Sequence, residues 1–304
     1  MPDASAALFA LATAVARLPW PWLRGAADAL AWLALRLDTR ESAVALRNLE
    51  LAYPDLLPAQ RESLRRAVVR STARQAFETL VLWTRPRAAT LGLVREVHGA
   101  ALFDAAIAAG HGVIVVAPHY GNWELLNQWL AARTPLAILY APPESALGDA
   151  FLRRVRASDG DRVTQVRAEG PGIRQLFKLL RGGGVVGILP DQQPKLGDGG
   201  FAPFFGLQAS TMTLVGRLAE RTGACVLFGY CERRGADLDF VLRFESAPEG
   251  IDSADAATAL AALNAGVERV ARRDPAQYQW TYKRFKARPP GSGEANPYQQ
   301  LEHR

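Results

Sequence analysis

The residues best suited to chemistry lie in one short block, His119-Tyr-Gly-Asn-Trp-Glu124. An imidazole and a carboxylate at this spacing can meet across a tight turn. A carboxylate against one ring nitrogen fixes the tautomer, and the other nitrogen is then free to take a proton from a hydroxyl. The bland alternative is that Glu124 only complements a helix dipole and His119 only packs. Upstream, Gly112 to Ala117 is apolar and rich in β-branched residues, which predicts a buried strand. Pro118 cannot donate to a ladder and ends that strand. Downstream, Leu125, Leu126, Trp129 and Leu130 recur with helical spacing, and Asn122 precedes them as an N-cap. His119 is therefore placed at the carboxyl end of a strand, the edge where open α/β sheets bind ligands.

Pro190-Asp191-Gln192 follows a second apolar run, Val185 to Leu189. If the two strands are parallel, Asp191 reaches the same edge as His119. There it could hold a basic group or the imidazole; Pro-Asp is also a common start of a turn. Arg167 and Arg174 lie upstream, and either could steady an oxyanion, grip a phosphate or simply be solvated. Gly182 to Gly187 satisfies G-x-G-x-x-G, but it follows a helix and opens a strand. A dinucleotide fingerprint needs the reverse order, so the glycines read as a helix C-cap and turn. No P-loop and no G-x-S-x-G occurs, which removes those nucleotide and nucleophile-elbow readings.

These blocks resemble the lysophospholipid-acyltransferase-like superfamily and, within it, the bacterial lipid A lauroyl and myristoyl acyltransferases. The block at His119 is similar to that family's H-x-G-N-W-E turn. Arg47 to Pro54, Pro190 to Gln192, Gly200 to Thr211, and Tyr278 to Lys286 match further family segments in order. The resemblance implies transfer of an acyl chain from acyl carrier protein to a hydroxyl of a lipid A precursor. It implies the cytoplasmic face of the inner membrane as the site of action. It gives His119 as general base, Glu124 as its orienting partner, and Asn122, Arg167, Asp191 and Gln192 as substrate-binding positions. It implies no metal and no cofactor, acyl carrier protein being the donor substrate. Alternatives in view are acylation of another glycolipid or aminolipid, and a non-catalytic membrane-surface protein.

The elements that must position these residues read as follows. Strands alternating with helices from about Val94 predict a layered mixed α/β sheet flanked by helices, and the resemblance implies that this sheet has the glycerolipid-acyltransferase-like fold. Residues 1–38 read as an apolar helical anchor, 39–288 as the acyltransferase domain and 289–304 as a flexible tail. The anchor is broken at Pro19-Trp-Pro-Trp22, and no stretch reaches the ~20 apolar residues of a clean span. Trp20, Trp22 and Trp32 suit a headgroup-level belt. Residues 57–83 read as a long helix carrying Arg61, Arg65, Arg66, Arg70 and Arg74, a set that could meet anionic lipid or simply be solvated. The net charge of +6 favours anionic partners: an acidic carrier protein or lipid surface. Arg153, Arg154 and Arg156 are candidates for docking the carrier. Nucleic acid is disfavoured because no recognition motif accompanies the basic-aromatic run 278–286, which reads as a surface for membrane or phosphorylated glycolipid. The phenylalanines of the 200–206 segment could line an acyl groove or cap the core. Cys225 and Cys231 read as small core residues.

Overall fold

The computed structural model describes residues 4–140, 145–157, 162–195 and 197–301. The side chains of Arg153 and Arg156 lie outside that set, whereas Arg154 is exposed on its helix.

The chain opens with four helices: α1 (Ala4–Ala16), α2 (Trp20–Arg36), α3 (Arg40–Ala52) and α4 (Pro58–Thr84). Pro19 forces the break between α1 and α2, because proline cannot continue α1 but suits a helix start; the two axes meet at 109°. No single helix is long and apolar enough to cross a membrane, and this bent pair passes that test only together. One face of α2 packs inward through Trp20, Leu23, Ala27 and Ala31, where Trp20 and Leu23 join the core cluster that includes Val81 and Leu82 of α4. Its opposite face presents Trp22 (71% exposed), Leu30 (52%), Leu33 (44%) and Leu37 (66%) to the outside. Its charged residues Arg24 and Asp28 turn toward the protein, Arg24 to the Ala236 carbonyl and Asp28 to Arg74. With Arg24 and Asp28 turned inward and Arg36 the one charge left exposed at its end, α2 carries a largely apolar outer face, which is not the pattern of an ordinary surface helix.

Beyond the short helix α5 (Arg87–Leu91), strands and helices alternate: β1 (Val94–His98), α6 (Ala100–Ala109), β2 (Val113–Val116), α7 (Trp123–Arg133), β3 (Leu136–Tyr140), α8 (Ala146–Ala157), β4 (Val163–Arg167), α9 (Gly170–Arg181) and β5 (Val185–Ile188). A hairpin, β6 (Gly199–Phe204) and β7 (Leu207–Met212), precedes α10 (Leu214–Thr222), β8 (Cys225–Arg233), β9 (Phe240–Ser246) and α11 (Ala256–Arg273). The main sheet has the order β1-β9-β8-β2-β5-β3-β4. Strands β8, β2, β5, β3 and β4 are parallel, and β9 turns antiparallel to β8. The mixed α/β sheet flanked by helices is thus present. β2 and β5 are buried at every position, as the continuous apolar runs demand for strands covered on both faces.

Several local expectations change. Residues 199–212 form the β6–β7 hairpin, so the 200–206 segment is paired strand and turn. Its turn residues Phe205 and Gly206 have φ of 49° and 78°, the positive pair that a two-residue hairpin matched to strand twist requires. Phe204 and Phe205 are core residues, packed on Trp280 and Tyr278, and so do not line an open groove. The basic-aromatic run 278–286 is also interior: Tyr278, Trp280, Arg284 and Phe285 are each at most 3% exposed. The expected flexible tail from 289 is pinned by Tyr298, which is fully buried; its hydroxyl accepts from the Phe285 amide (3.1 Å) and donates to Asn48. Cys231 is buried but Cys225 is exposed, because it opens β8 at the sheet margin. Gly182 caps α9 and Gly183 takes φ 79°, as the discounted glycine run requires.

Candidate active site

The parallel pairing of β2 with β5 places the two chemical blocks side by side. Val116 is in register with Ile188, and the Ala117 amide bonds the Ile188 carbonyl at 2.9 Å. Each chain then runs three residues further, to His119 and to Asp191. The Asp191 carboxylate meets the imidazole with both oxygens in use: Oδ1 lies 2.7 Å from His119 Nδ1, and Oδ2 accepts from the His119 backbone amide at 2.9 Å. The carboxylate on the ring is therefore Asp191, and not Glu124 as the H-x4-E spacing led us to expect. A strand-to-strand register carries the contact, whereas the local spacing instead aims Glu124 into the cavity from the first turn of α7.

An anionic partner at Nδ1 keeps the proton there and leaves the Nε2 lone pair outward. That lone pair faces Gln192, whose amide nitrogen stands 3.3 Å away and also donates to Gln279 Oε1 at 3.2 Å. Gln279 in turn bonds the His119 carbonyl through its backbone amide at 2.9 Å. The Trp123 ring stands edge-on to the imidazole with centroids 4.9 Å apart. His119 is thus fixed at its backbone, at both ring nitrogens and on one face.

Asp191 is 4% exposed. Burial pushes its pKa up, but the charge and hydrogen bonds of His119, with help from Arg284, outweigh burial and hold it below the usual carboxylate value. Arg284 itself is 3% exposed and is held by Thr211 Oγ1 (2.8 Å), Asn264 Oδ1 (3.3 Å) and the Ser210 carbonyl. Burial lowers its pKa, yet a guanidinium remains charged and so supplies the buried carboxylate with a fixed cation. Burial, with Asp191 nearby, pushes the Tyr278 phenol well up, so it stays neutral against that carboxylate.

The rest of the motif is scaffolding. Gly121 has φ 57°, and a Cβ there would meet the Cys231 carbonyl oxygen at 2.0 Å, so only glycine lets the turn cross β8. Asn122 caps α7, its side chain accepting from the Leu125 amide at 3.3 Å. Its amide nitrogen points at Glu78 (3.4 Å), which is fully buried and paired with Arg233. At 1% exposure, with both ends of the amide engaged, Asn122 positions the turn and does not present itself to substrate as expected.

His119, Trp123, Glu124 and Gln192 open onto a cavity of about 410 Å³. Its walls are largely apolar, from Ile138 and Leu139 of β3, Leu152 of α8, Ile173 of α9, and Met212. Arg167 ends β4 with its side chain exposed, and only its neighbour Ala168 contributes to the wall. Arg174 is exposed on α9 as well. Among the described residues, the cations lining this cavity are Lys195 and Arg217. Neither stood out in the sequence, since Arg217 is placed by the packing of α10 and carries no local motif. Gln279 and Arg284 lay inside a run whose composition suggested a surface. Their signal was the apolar spacing of Tyr278, Trp280 and Phe285, which marks burial.

A parallel-stranded α/β sheet thus carries a carboxylate-held histidine at its carboxyl edge, the edge where such sheets bind ligands, beside a cavity whose apolar walls suit a ligand with an apolar part. The profile of the bacterial lipid A biosynthesis acyltransferases matches residues 4–287, and the chain belongs to that family. It is 28% identical over 281 residues to the lipid A biosynthesis lauroyltransferase of Escherichia coli K12, covering 91% of this chain and 89% of that one. It is 27% identical over 293 residues to a lipid A biosynthesis acyltransferase of Haemophilus influenzae, covering 93% and 91%. A phosphatidylinositol mannoside acyltransferase of Mycobacterium tuberculosis is 33% identical over 149 residues, about half of each chain (47% and 46%).

Proposed function

We propose that this acyltransferase moves a fatty acyl chain from the thioester of acyl carrier protein to a hydroxyl of a lipid A precursor. The observation that carries the reading is the Nε2 lone pair of His119, held outward by Asp191 at the mouth of an apolar-walled cavity. The acceptor hydroxyl takes the place at Nε2 that the Gln192 amide now fills and gives its proton to that nitrogen. Its oxygen attacks the thioester carbonyl; the tetrahedral intermediate collapses with cleavage of the carbon–sulfur bond, and the departing sulfur takes the proton from the imidazolium. Asp191 stabilises the imidazolium between these steps. Glu124, on the cavity wall, positions the acceptor, and the cations Lys195 and Arg217 favour charge developing on the carbonyl oxygen. No step needs a covalent acyl-enzyme, a metal or a cofactor. Arg167 would reach the substrate only as part of the rim.

The test is mass spectrometry of products from purified protein, acyl carrier protein loaded with a fatty acid, and alternative acceptors. One acyl increment on the lipid A precursor, with free thiol on the carrier, is the expected result. Increment only on a mannosylated phosphoinositide would favour the second reading, which the mycobacterial similarity motivates. Free fatty acid alone would make the protein a thioesterase.

The outward apolar face of α2 supports membrane attachment through residues 1–38. Burying the exposed parts of Trp22, Leu30 and Leu33 in lipid would contribute about 1 kcal/mol each, because Leu30 and Leu33 are already about half covered. Because the inner face of α2 packs on the core cluster, substitution is a cleaner test than truncation. The variant Trp22→Ser/Leu30→Ser/Leu33→Ser is expected to move from the membrane pellet to the soluble fraction with its Tm unchanged. Full retention in the pellet would place the anchor elsewhere. This arrangement supports action at the inner membrane surface on its cytoplasmic face, where the acidic carrier protein would meet a basic chain.

A further inference from the structure

The arginines of α4 fall into two groups. Arg61 is spent on the carbonyls of Tyr53, Pro54 and Leu56; Arg65 on Asp38, Ser42 and Glu62; and Arg74 on both oxygens of Asp28, at 2.7 Å each. Arg66 and Arg70 remain exposed. Arg66 shares Glu62 with Arg65, at 3.1 Å, while Arg70 forms no ion pair or hydrogen bond among the described residues. They face Arg36 of α2, which is likewise exposed and unpaired among the described residues. These three arginines line a groove of about 410 Å³ between α2 and α4, walled on the α2 side by Trp32 and Leu35. The groove runs into a second hollow of about 490 Å³ along α4, which shares Arg66 and Arg70 and adds Ser63. Two carboxylates also line the groove, but Asp28 is neutralised by Arg74 and Glu62 by Arg65. The charges of Arg36 and Arg70 are therefore uncompensated.

The groove borders the outward apolar face of α2, since Leu33 and Leu37 adjoin Trp32 and Arg36 in the helix. Apolar side chains that meet acyl tails, beside a tryptophan at headgroup depth and guanidinium forks for a phosphate, match one ligand chemistry. We propose that the α2–α4 groove binds the phosphate of an anionic phospholipid of the bilayer, apart from the catalytic cavity, with which it shares no lining residue. The proposal rests on the membrane-surface reading above. It gives that surface a lipid preference and fixes the depth and tilt at which the His119 cavity meets the membrane.

The experiment is vesicle co-sedimentation of the full chain with phosphatidylglycerol-containing vesicles and with pure phosphatidylcholine vesicles. Arg36→Gln/Arg70→Gln is compared with wild type and with an equal charge loss elsewhere, Arg181→Gln/Arg221→Gln. At about fivefold per arginine, the groove variant should lose roughly 25-fold in affinity for the anionic vesicles. Its weaker binding to phosphatidylcholine should be unchanged, because Trp22, Leu30 and Leu33 remain. Its Tm, and its acyl transfer in detergent, should match wild type, since neither arginine holds a partner in the fold. Undiminished anionic binding by the groove variant overturns the proposal, as does an equal loss in the control variant. Wild type that binds neither vesicle would remove the membrane-surface reading and the groove together. Absence of acyl transfer in every variant would remove the proposed reaction while leaving the binding comparison valid.

Discussion

Purified His119→Ala protein is expected to lose about 10²–10⁴ in kcat, with KM for both substrates changed little, because a general base contributes about that factor and acts only as the proton moves. The fold should survive the substitution. His119 is only partly buried, and its two backbone bonds, from its own amide to Asp191 and from the Gln279 amide to its carbonyl, do not depend on the side chain. The substitution does strip Asp191 of its ring contact, leaving a buried carboxylate with Arg284, Tyr278 and one backbone donor. Some loss of Tm is therefore expected, and circular dichroism at the assay temperature must accompany the rates. Folded His119→Ala with wild-type kcat would sink the mechanism. A purely packing histidine would give the opposite result, with lowered Tm and full activity per folded molecule.

The parts of this site that follow from local chain geometry were legible in the sequence. The apolar run before Pro118, the N-cap at Asn122 and the glycine turn all appear as the residue types require. The placement of Asp191 at the edge occupied by His119 also follows, once β2 and β5 are known to be parallel neighbours. What spacing alone could not decide was which carboxylate takes the ring nitrogen. The H-x4-E pair is close in sequence, but the first turn of α7 carries Glu124 toward the cavity. Asp191, 72 residues away, arrives by strand register. The β6–β7 hairpin was missed because its turn, Phe205-Gly206, puts a bulky residue at positive φ, against the usual Asn-Gly or Asp-Gly signal. Packing supplies what propensity does not: Phe205 sits against Trp280 and Phe204, and its amide bonds Glu268 at 2.6 Å. The run 278–286 was misjudged because a buried arginine looks, in sequence, like a surface one. Only the tertiary partners Thr211 and Asn264 make Arg284 tolerable in the interior.

Asp191→Asn is expected to be nearly as damaging as loss of the histidine, and for a reason that the two oxygens of Asp191 make specific. The His119 backbone amide and Nδ1–H both need an acceptor here. A carboxylate offers two, whereas an amide offers one. If the oxygen of the substituted side chain satisfies the backbone amide, its NH₂ faces Nδ1 and drives the ring to the tautomer with its proton on Nε2, which cannot accept one from a hydroxyl. If the oxygen is turned to Nδ1 instead, the NH₂ meets the backbone N–H donor against donor. In a comparable His–Asp pair this exchange costs about 10⁴ in kcat. A loss of at least about 10² with KM little changed is expected here. The double variant His119→Ala/Asp191→Asn should be no slower than His119→Ala, because the two residues act as a unit. Glu124→Gln leaves that tautomer intact, so its loss of kcat should be smaller and its effect on acceptor KM larger. Each rate is to be read beside circular dichroism at the assay temperature, so that a loss of fold is not counted as a loss of kcat. Should Glu124→Gln instead cost as much as Asp191→Asn and vanish in the His119→Ala background, the orienting carboxylate during turnover would be Glu124, and the assignment of Asp191 to that task would be wrong.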